Sequence, residues 1–133
     1  MALQFLLDTN ICIYIMNRRP PQVAQRFVQH PPDAVGLSSL TLAELSYGVG
    51  KSRSDRNRVV LEGFVQPLEV VPFGPEAAWC CGEVRSVLEQ QGTPIGALDT
   101  LIAAHALALD LTLVTHNTRE FGRVEGLRVE NWF

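Results

Sequence analysis

The sequence predicts a single α/β domain over residues 1–133, with a central, largely parallel β-sheet flanked by α-helices on both faces. Two observations predict this class. Short aliphatic runs that suit buried strands alternate along the chain with longer segments of helical periodicity. Prolines and glycines mark the boundaries between these segments, and no repeat, linker or low-complexity stretch divides the chain.

Four predicted strands are short and apolar, as expected for a sheet covered on both faces. They are Leu3 to Leu7, Ala34 to Ser38, Leu68 to Phe73 and Leu111 to Thr115, with a short fifth at Leu127 to Glu130. The predicted helices cover 11–16, 22–29, 39 or 41 to 50, 52–66, 75–91 and 99–109. Thr9 or Asn10 is expected to cap the first helix, and Gly50 to end the third.

The composition excludes several classes of protein. Hydrophobic residues make up 47% and charged residues 19%, which is ordinary for a globular protein, and no apolar run is long enough to span a membrane. The first residues, MALQFLLDTNICIYI, contain an aspartate and lack a basic segment, so they predict a strand rather than a signal peptide. A cytoplasmic location is therefore expected. The formal charge of −3 argues against coating nucleic acid by bulk positive charge, although a local basic patch stays open.

Three cysteines, with no C-x-x-C spacing, predict neither a zinc site nor a disulfide framework. We expect Cys12, Cys80 and Cys81 to be reduced and mostly buried. Glycine-rich phosphate-binding motifs are also absent, which removes dinucleotide binding and P-loop hydrolysis. The chain's last aromatic residues, Trp132 and Phe133, are expected to cap the core.

Acidic residues stand at unusual positions. Asp8 directly follows the first predicted strand, where either a helix cap or a ligand is expected. Glu44 lies on a helix face opposite the apolar stripe, beside Gly48, which suggests that something approaches this face closely; a solvated glutamate is the alternative. Asp99 begins the apolar run LDTLIAAHALAL, where the helix dipole alone compensates a buried charge poorly.

A fourth group of polar residues follows the strand Leu111 to Thr115. Thr115, Asn117 and Glu120 come at its carboxyl end, where a capped turn is the alternative interpretation. The carboxyl ends of parallel strands meet at one sheet edge, so these residues and the three acids could converge there. Oxygen ligands without cysteine or a histidine cluster suit Mg²⁺ or Mn²⁺, and such a site suits metal-assisted hydrolysis of a phosphodiester.

The stretches LLDTN, LTLAELSYGV, ALDTLIAAHAL and LVTHNTREF, followed by VENW, resemble the PIN-domain ribonucleases. More specifically, they resemble the VapC toxins of bacterial VapBC toxin–antitoxin pairs. The resemblance runs from end to end and implies a PIN-like fold that hydrolyses RNA with Mg²⁺, for which Mn²⁺ can substitute. It also implies a homodimer and a VapB antitoxin, with operator DNA bound only through the antitoxin.

By motif, the resemblance implies that Asp8, Glu44 and Asp99 are the first, second and third acidic ligands of the catalytic site, with Asp8 and Asp99 as the principal metal ligands. Thr9, Asn10 and Thr115 would orient them. Many relatives have an aspartate where this chain has Asn117. As the fourth residue of the catalytic site, Asn117 can offer a carbonyl oxygen or hold a metal-bound water, but it brings no charge. We therefore predict one firmly bound ion. Glu120 could restore the missing charge or point to solvent.

The implied substrate is a tRNA, possible targets including the anticodon loop of the initiator tRNA, since unpaired bases are what proteins read in RNA. Positive charge for its backbone could come from the pair Arg18 and Arg19 or from a second group, which a solvated helix face would also explain. The second group is Lys51, Arg53, Arg56 and Arg58. Because Asn117 replaces an acid, the competing hypothesis is a catalytically inactive RNA-binding module.

Overall fold

A computed structural model describes residues 2–133, which form five strands and seven α-helices. In chain order the elements are β1 (Phe5–Leu7), α1 (Thr9–Asn17), α2 (Pro21–Val28), β2 (Val35–Ser38), α3 (Ser39–Ser52), α4 (Asp55–Val65), β3 (Glu69–Val71), α5 (Pro75–Gln90), α6 (Ala97–Ala108), β4 (Thr112–Val114), α7 (Thr118–Phe121) and β5 (Val129–Glu130). A 3₁₀ turn at Pro32–Ala34 precedes β2. The predicted alternation of strands and helices is confirmed, and each strand is shorter than predicted.

All neighbouring strands in the sheet are parallel, in the order β3-β2-β1-β4-β5. The central strand β1 pairs with β4 so that Leu7 lies opposite Val114. The next residue of each strand, Asp8 and Thr115, therefore leaves the sheet at the same edge. These two residues come together because β1 and β4 are neighbours in the sheet, although they are far apart in the chain.

Helices cover both faces of the sheet, as the apolar strands predicted. Side chains of successive strand residues point to opposite faces, so Leu6 and Leu7 belong to different hydrophobic clusters. The Leu7 cluster includes side chains of α1, α2, α3 and α4, and the Leu6 cluster includes those of α5, α6 and α7. The site described below lies where these two layers meet at the sheet edge.

Most helix boundaries differ from the prediction by one to three residues, and three of these differences bear on the site. Asp8, not Thr9 or Asn10, is the N-cap of α1, and its side chain accepts a hydrogen bond from the Thr9 N–H. Helix α3 continues past Gly50 to Ser52, because Arg53 takes the left-handed conformation that ends the helix there. Helix α6 covers Ala97–Ala108 rather than 99–109, so Asp99 lies within the first turn.

The two aromatic residues that close the sequence behave differently. Trp132 is 1% exposed and packs in the core, as predicted, but Phe133 is 47% exposed, so the prediction that it caps the core is wrong. Phe133 instead packs at the surface against the rings of Tyr14 and His116. Within residues 2–133, no helix has the length and apolar character needed to cross a membrane.

Candidate active site

Asp8 is held by two donors at the edge of the sheet. Its Oδ1 accepts a hydrogen bond of 2.8 Å from the Thr9 backbone N–H, and its Oδ2 accepts one of 2.8 Å from the Thr115 hydroxyl. The residue is only 8% exposed. Burial raises the pKa of Asp8, and the hydrogen bonds from Thr115 and Thr9 oppose that shift. Asp8 is therefore both the helix cap and a carboxylate of fixed orientation.

Thr115 transmits the position of one loop to Asp8. It is fully buried at the end of β4, and its Oγ1 accepts a 3.0 Å hydrogen bond from the Asn117 backbone N–H. Because one lone pair is used in this way, the hydroxyl proton is directed at Asp8. The predicted positioning role of Thr115 thus has a geometric basis, whereas Thr9 acts through its backbone.

Asp99 lies half-buried in the first turn of α6, near two other acids. Its pKa is raised from 3.8 to about 6 by burial, by the negative charges of Asp8 and Glu120, and by a hydrogen bond with Glu120. Three carboxyl groups therefore interact here: Asp8, Asp99 and Glu120.

Glu120 was the least certain acid from sequence, and the structure places it beside Asp99 rather than in open solvent. It lies in α7, a single helical turn that begins one residue after Asn117. Asn117 is half-buried and caps α7 with its backbone only: its carbonyl accepts from the Phe121 N–H at 3.3 Å, and its side chain makes no capping hydrogen bond. The amide of Asn117 is thus available to another group.

Glu44 lies in a groove beside this cluster. It is exposed on α3 and lines a groove of about 550 Å³ between α1, α3 and α4, which we call the α1/α3/α4 groove. Thr9 and Asn10 line the same groove. Among residues 2–133, the donors to the Asp8 carboxylate are Thr9 and Thr115, not Asn10. A Cβ at Gly48 would meet no atom within 4 Å, so the fold itself does not require this glycine.

The predicted basic residues form two groups. Arg18 and Arg19 are exposed just beyond α1, and Arg18 has a left-handed conformation. Lys51 lies in the last turn of α3 and lines the α1/α3/α4 groove, with Arg53 at the helix end. Arg58, in α4, forms an exposed 3.7 Å ion pair with Glu62, which is the solvated helix face considered from sequence.

Cysteine and histidine chemistry is not supported at this site. Cys12 is fully buried, and burial together with the charge of Asp8 raises the pKa of its thiol, so the thiolate nucleophile is disfavoured. His105 is also fully buried, and its Nδ1 lies 2.9 Å from the Ser38 hydroxyl oxygen. Burial lowers the pKa of His105, which fits a packing role for this ring.

The oxygen donors at the sheet edge fit a hard divalent cation. The carboxyl groups are desolvated and repel one another, and none of the ion pairs among residues 2–133 includes Asp8, Asp99 or Glu120. Across those residues, no three His, Cys, Asp or Glu side chains stand close enough for a ready-made metal site.

Comparison with known proteins places this arrangement in context. The family profile of the PIN domain matches residues 5–127. The chain is 46% identical to the tRNA(fMet)-specific endonuclease VapC of Shigella flexneri, with 98% of each chain covered. Its fold matches VapBC2 from Rickettsia felis bound to a promoter DNA fragment, with a TM-score of 0.91, 40% identity and coverage of 98% and 100%. DNA-bound VapBC from Salmonella typhimurium matches with a TM-score of 0.92, 42% identity and coverage of 98% and 99%.

Proposed function

This chain belongs to the PIN-domain ribonucleases and, within them, to the VapC family, and we propose that it cleaves a tRNA with the aid of Mg²⁺. The observation that carries this proposal is the carboxylate of Asp8, fixed by two donors beside Asp99 and Glu120. Three oxygen-bearing acids at one sheet edge are the donor set that Mg²⁺ or Mn²⁺ prefers. The name of the Shigella flexneri relative supports an initiator tRNA as the substrate.

Asp8 and Asp99 would hold the ion, and Asn117 would contribute an uncharged oxygen. When bound, a divalent ion supplies Lewis acidity, which stabilises the negative charge that develops on the phosphodiester. Thr115 keeps Oδ2 of Asp8 in place through its hydroxyl, and the Thr9 N–H does the same for Oδ1. These two donors leave Asp8 little freedom to turn away from the site.

Glu120 would replace the charge that Asn117 lacks. Its hydrogen bond with Asp99 requires a proton between two carboxyl groups, and a cation at this place would take over that role. Glu44 would enter the site from the α1/α3/α4 groove when RNA or the ion draws it in. Arg18, Arg19, Lys51 and Arg53 would contact the RNA backbone from the two sides.

The α1/α3/α4 groove supports a protein partner of the VapB antitoxin type. Its apolar lining includes three exposed side chains: Ile13, Tyr47 and Val60. They adjoin the sheet edge that carries Asp8, Asp99 and Glu120, which we call the acidic edge. A segment lying there would therefore cover the route to Asp8. Operator DNA would then be bound through the antitoxin, as the DNA-bound VapBC structures suggest.

A homodimer is the remaining part of the proposal. Trp79 on α5 is 83% exposed, and a large aromatic side chain so exposed is typical of an association surface. Sedimentation of the wild-type chain and of Trp79→Ser tests this. The wild-type chain is expected to sediment as a dimer and the variant more weakly associated.

The activity is tested by incubating the purified chain with total tRNA in Mg²⁺ and in EDTA. We expect discrete cleavage with Mg²⁺ and none with EDTA. Equal cleavage in both would overturn the metal dependence. A folded wild-type chain that binds tRNA but never cleaves it in Mg²⁺ or Mn²⁺ would instead identify an inactive RNA-binding module.

A further inference from the structure

We infer that Tyr14, His116 and Phe133 form a platform on which an unpaired base of the RNA substrate stacks, an inference that rests on the proposed ribonuclease function. The three rings are in mutual contact. The centroids of His116 and Phe133 lie 4.0 Å apart, those of Tyr14 and Phe133 5.3 Å apart, and those of Tyr14 and His116 6.3 Å apart. We call these three residues the ring platform.

The ring platform is exposed but held in place. His116 is exposed and Phe133 is 47% exposed, so both rings are accessible to solvent. The Asn131 amide holds both: its Oδ1 accepts from the Phe133 N–H at 2.9 Å, and its Nδ2 lies 3.5 Å from Nδ1 of His116. The buried Trp132 fixes the backbone next to Phe133. A surface whose rings are already ordered loses little entropy when a base stacks on it.

Chain connectivity puts the ring platform next to the acidic edge. His116 lies between Thr115, which donates to Asp8, and Asn117, whose N–H donates back to Thr115. Tyr14 lies on α1, the helix that Asp8 caps, about 9 Å along its axis from that cap. A nucleotide next to the phosphodiester at Asp8 can therefore reach the rings.

Two exposed arginines, Arg18 and Arg19, follow Tyr14 at the end of α1. The carbonyl of Tyr14 accepts hydrogen bonds from the backbone N–H groups of Arg18 and Arg19, whose side chains are exposed. Along α1 the order is thus an acid at Asp8, a ring at Tyr14 and then the exposed arginines. Rings for bases beside cations for phosphates are what proteins present to single-stranded RNA. A protein segment has no need of this order, and for that reason we assign the rings to RNA.

Binding is measured with the catalytically disabled Asp8→Asn chain and a fluorescently labelled initiator tRNA transcript. Adding Phe133→Ala or His116→Ala should weaken binding about 5- to 100-fold, the range found when one stacking ring is removed. Phe133→Tyr keeps the ring and should bind within about twofold of the parent, while Phe133→Leu keeps apolar surface and should resemble Phe133→Ala. Far-ultraviolet circular dichroism and thermal unfolding check that each variant is folded.

The stacked nucleotide is identified by placing an abasic residue at each position of the anticodon loop in turn. At one position, the abasic substitution should weaken binding to the parent chain but not to the Phe133→Ala chain, because both changes remove the same contact. Additive losses at every position, or unchanged affinity of both ring variants, would overturn the ring platform. Loss of antitoxin binding with unchanged tRNA binding would do the same and assign the rings to a protein partner.

The cleavage assay separates this inference from the proposed function. If the wild-type chain fails to cleave tRNA in Mg²⁺ but its tRNA binding depends on the rings, the ribonuclease proposal fails and the ring platform stands. If cleavage depends on Mg²⁺ and is unchanged in Phe133→Ala and His116→Ala, the ring platform fails alone.

Discussion

The acidic edge and the α1/α3/α4 groove meet at Thr9 but are built differently. At the edge, Asp8 is 8% exposed and receives two hydrogen bonds of 2.8 Å, one from the fully buried Thr115. In the groove, Glu44 is exposed among side chains such as Tyr47, which is 68% exposed. The edge is preorganised by the fold, whereas the groove presents surface that a partner can cover.

This difference divides the acids that sequence reasoning assigned to one site. Asp8 and Asp99 interact strongly with each other and with Glu120 in the folded chain. Glu44 is not among the groups that raise the pKa of either aspartate. We therefore expect the aspartates to determine ion binding, and Glu44 to contribute only when substrate or ion is present.

The largest effect is expected from removing either aspartate charge. Asp8→Asn or Asp99→Asn should lower kcat/KM for tRNA cleavage by about 1000-fold or more, because several kcal/mol of charge stabilisation depend on the bound ion. Initial rates with labelled tRNA measure this. Glu125→Gln removes an exposed carboxylate elsewhere and should leave the rate unchanged. A fall of less than tenfold in both aspartate variants would show that the edge is not the catalytic centre.

A smaller loss is expected at Thr115. Thr115→Val keeps the shape of the side chain but removes the donor to Asp8, which should reduce Mn²⁺ affinity about 10- to 100-fold. Thr115→Ser keeps the hydroxyl and serves as the matched control. Calorimetric titration with Mn²⁺ measures both. Equal affinity of the Val and Ser variants would mean that the 2.8 Å hydrogen bond does not position Asp8 for the ion.

Glu44→Gln tests whether the groove and the acidic edge contribute unequally to cleavage. We expect about a tenfold fall in kcat/KM, since an exposed group that must be drawn in contributes less than a preorganised one. Measuring kcat/KM for Glu44→Gln and for Asp99→Asn in the same assay gives the ratio of the two losses. Equal losses in the two variants would show that the groove and the edge function as one site.

The smallest effect concerns stability and pH without metal. The pKa of Asp99 is raised from 3.8 to about 6 in the folded chain, so its protonated form is favoured by folding. This stabilisation is complete below about pH 4 and is lost as the pH rises through 6. Allowing for solvent screening of a half-buried group, Asp99 should lower the free energy of unfolding by about 1 kcal/mol between pH 4 and pH 7.

Urea denaturation of the wild-type chain and Asp99→Asn in EDTA measures this difference. The variant should gain stability over the wild-type chain as the pH rises from 4 to 7, and saturating Mg²⁺ should reverse the order at pH 7. A pH-independent difference between the two chains would contradict the proximity of Asp99 to the other acids.

Sequence alone predicted the parts that depend on strand connectivity. Asp8 and Thr115 each follow an apolar run, and parallel pairing of those runs brings them together, so their contact could be expected. The side chain of Glu120 could not be placed, because its direction depends on how the loop after β4 folds into the single turn of α7. Its spacing of three residues from Asn117, about one helical turn, was the available signal.

The position of Glu44 relative to the aspartates could not be predicted from sequence either. The apolar stripe of α3 indicates which face packs on the core, but the remaining arc of the helix is wide. In the folded chain Glu44 lines the groove, a placement that depends on how α1 and α4 pack beside α3. The end of the same helix was also misplaced at Gly50, because the Ser52 hydroxyl donates to the Val49 carbonyl at 2.7 Å and Arg53 supplies the terminating conformation.

The most direct test of the account is a calorimetric titration of the metal-free chain with Mn²⁺ at pH 7.5, without RNA. The wild-type chain and Glu44→Gln should each bind one ion with affinities within about threefold, while Asp99→Asn should bind at least about 100-fold more weakly. Equal binding by the wild-type chain and Asp99→Asn, or loss of binding in Glu44→Gln alone, would contradict the claim that the preorganised aspartates hold the ion.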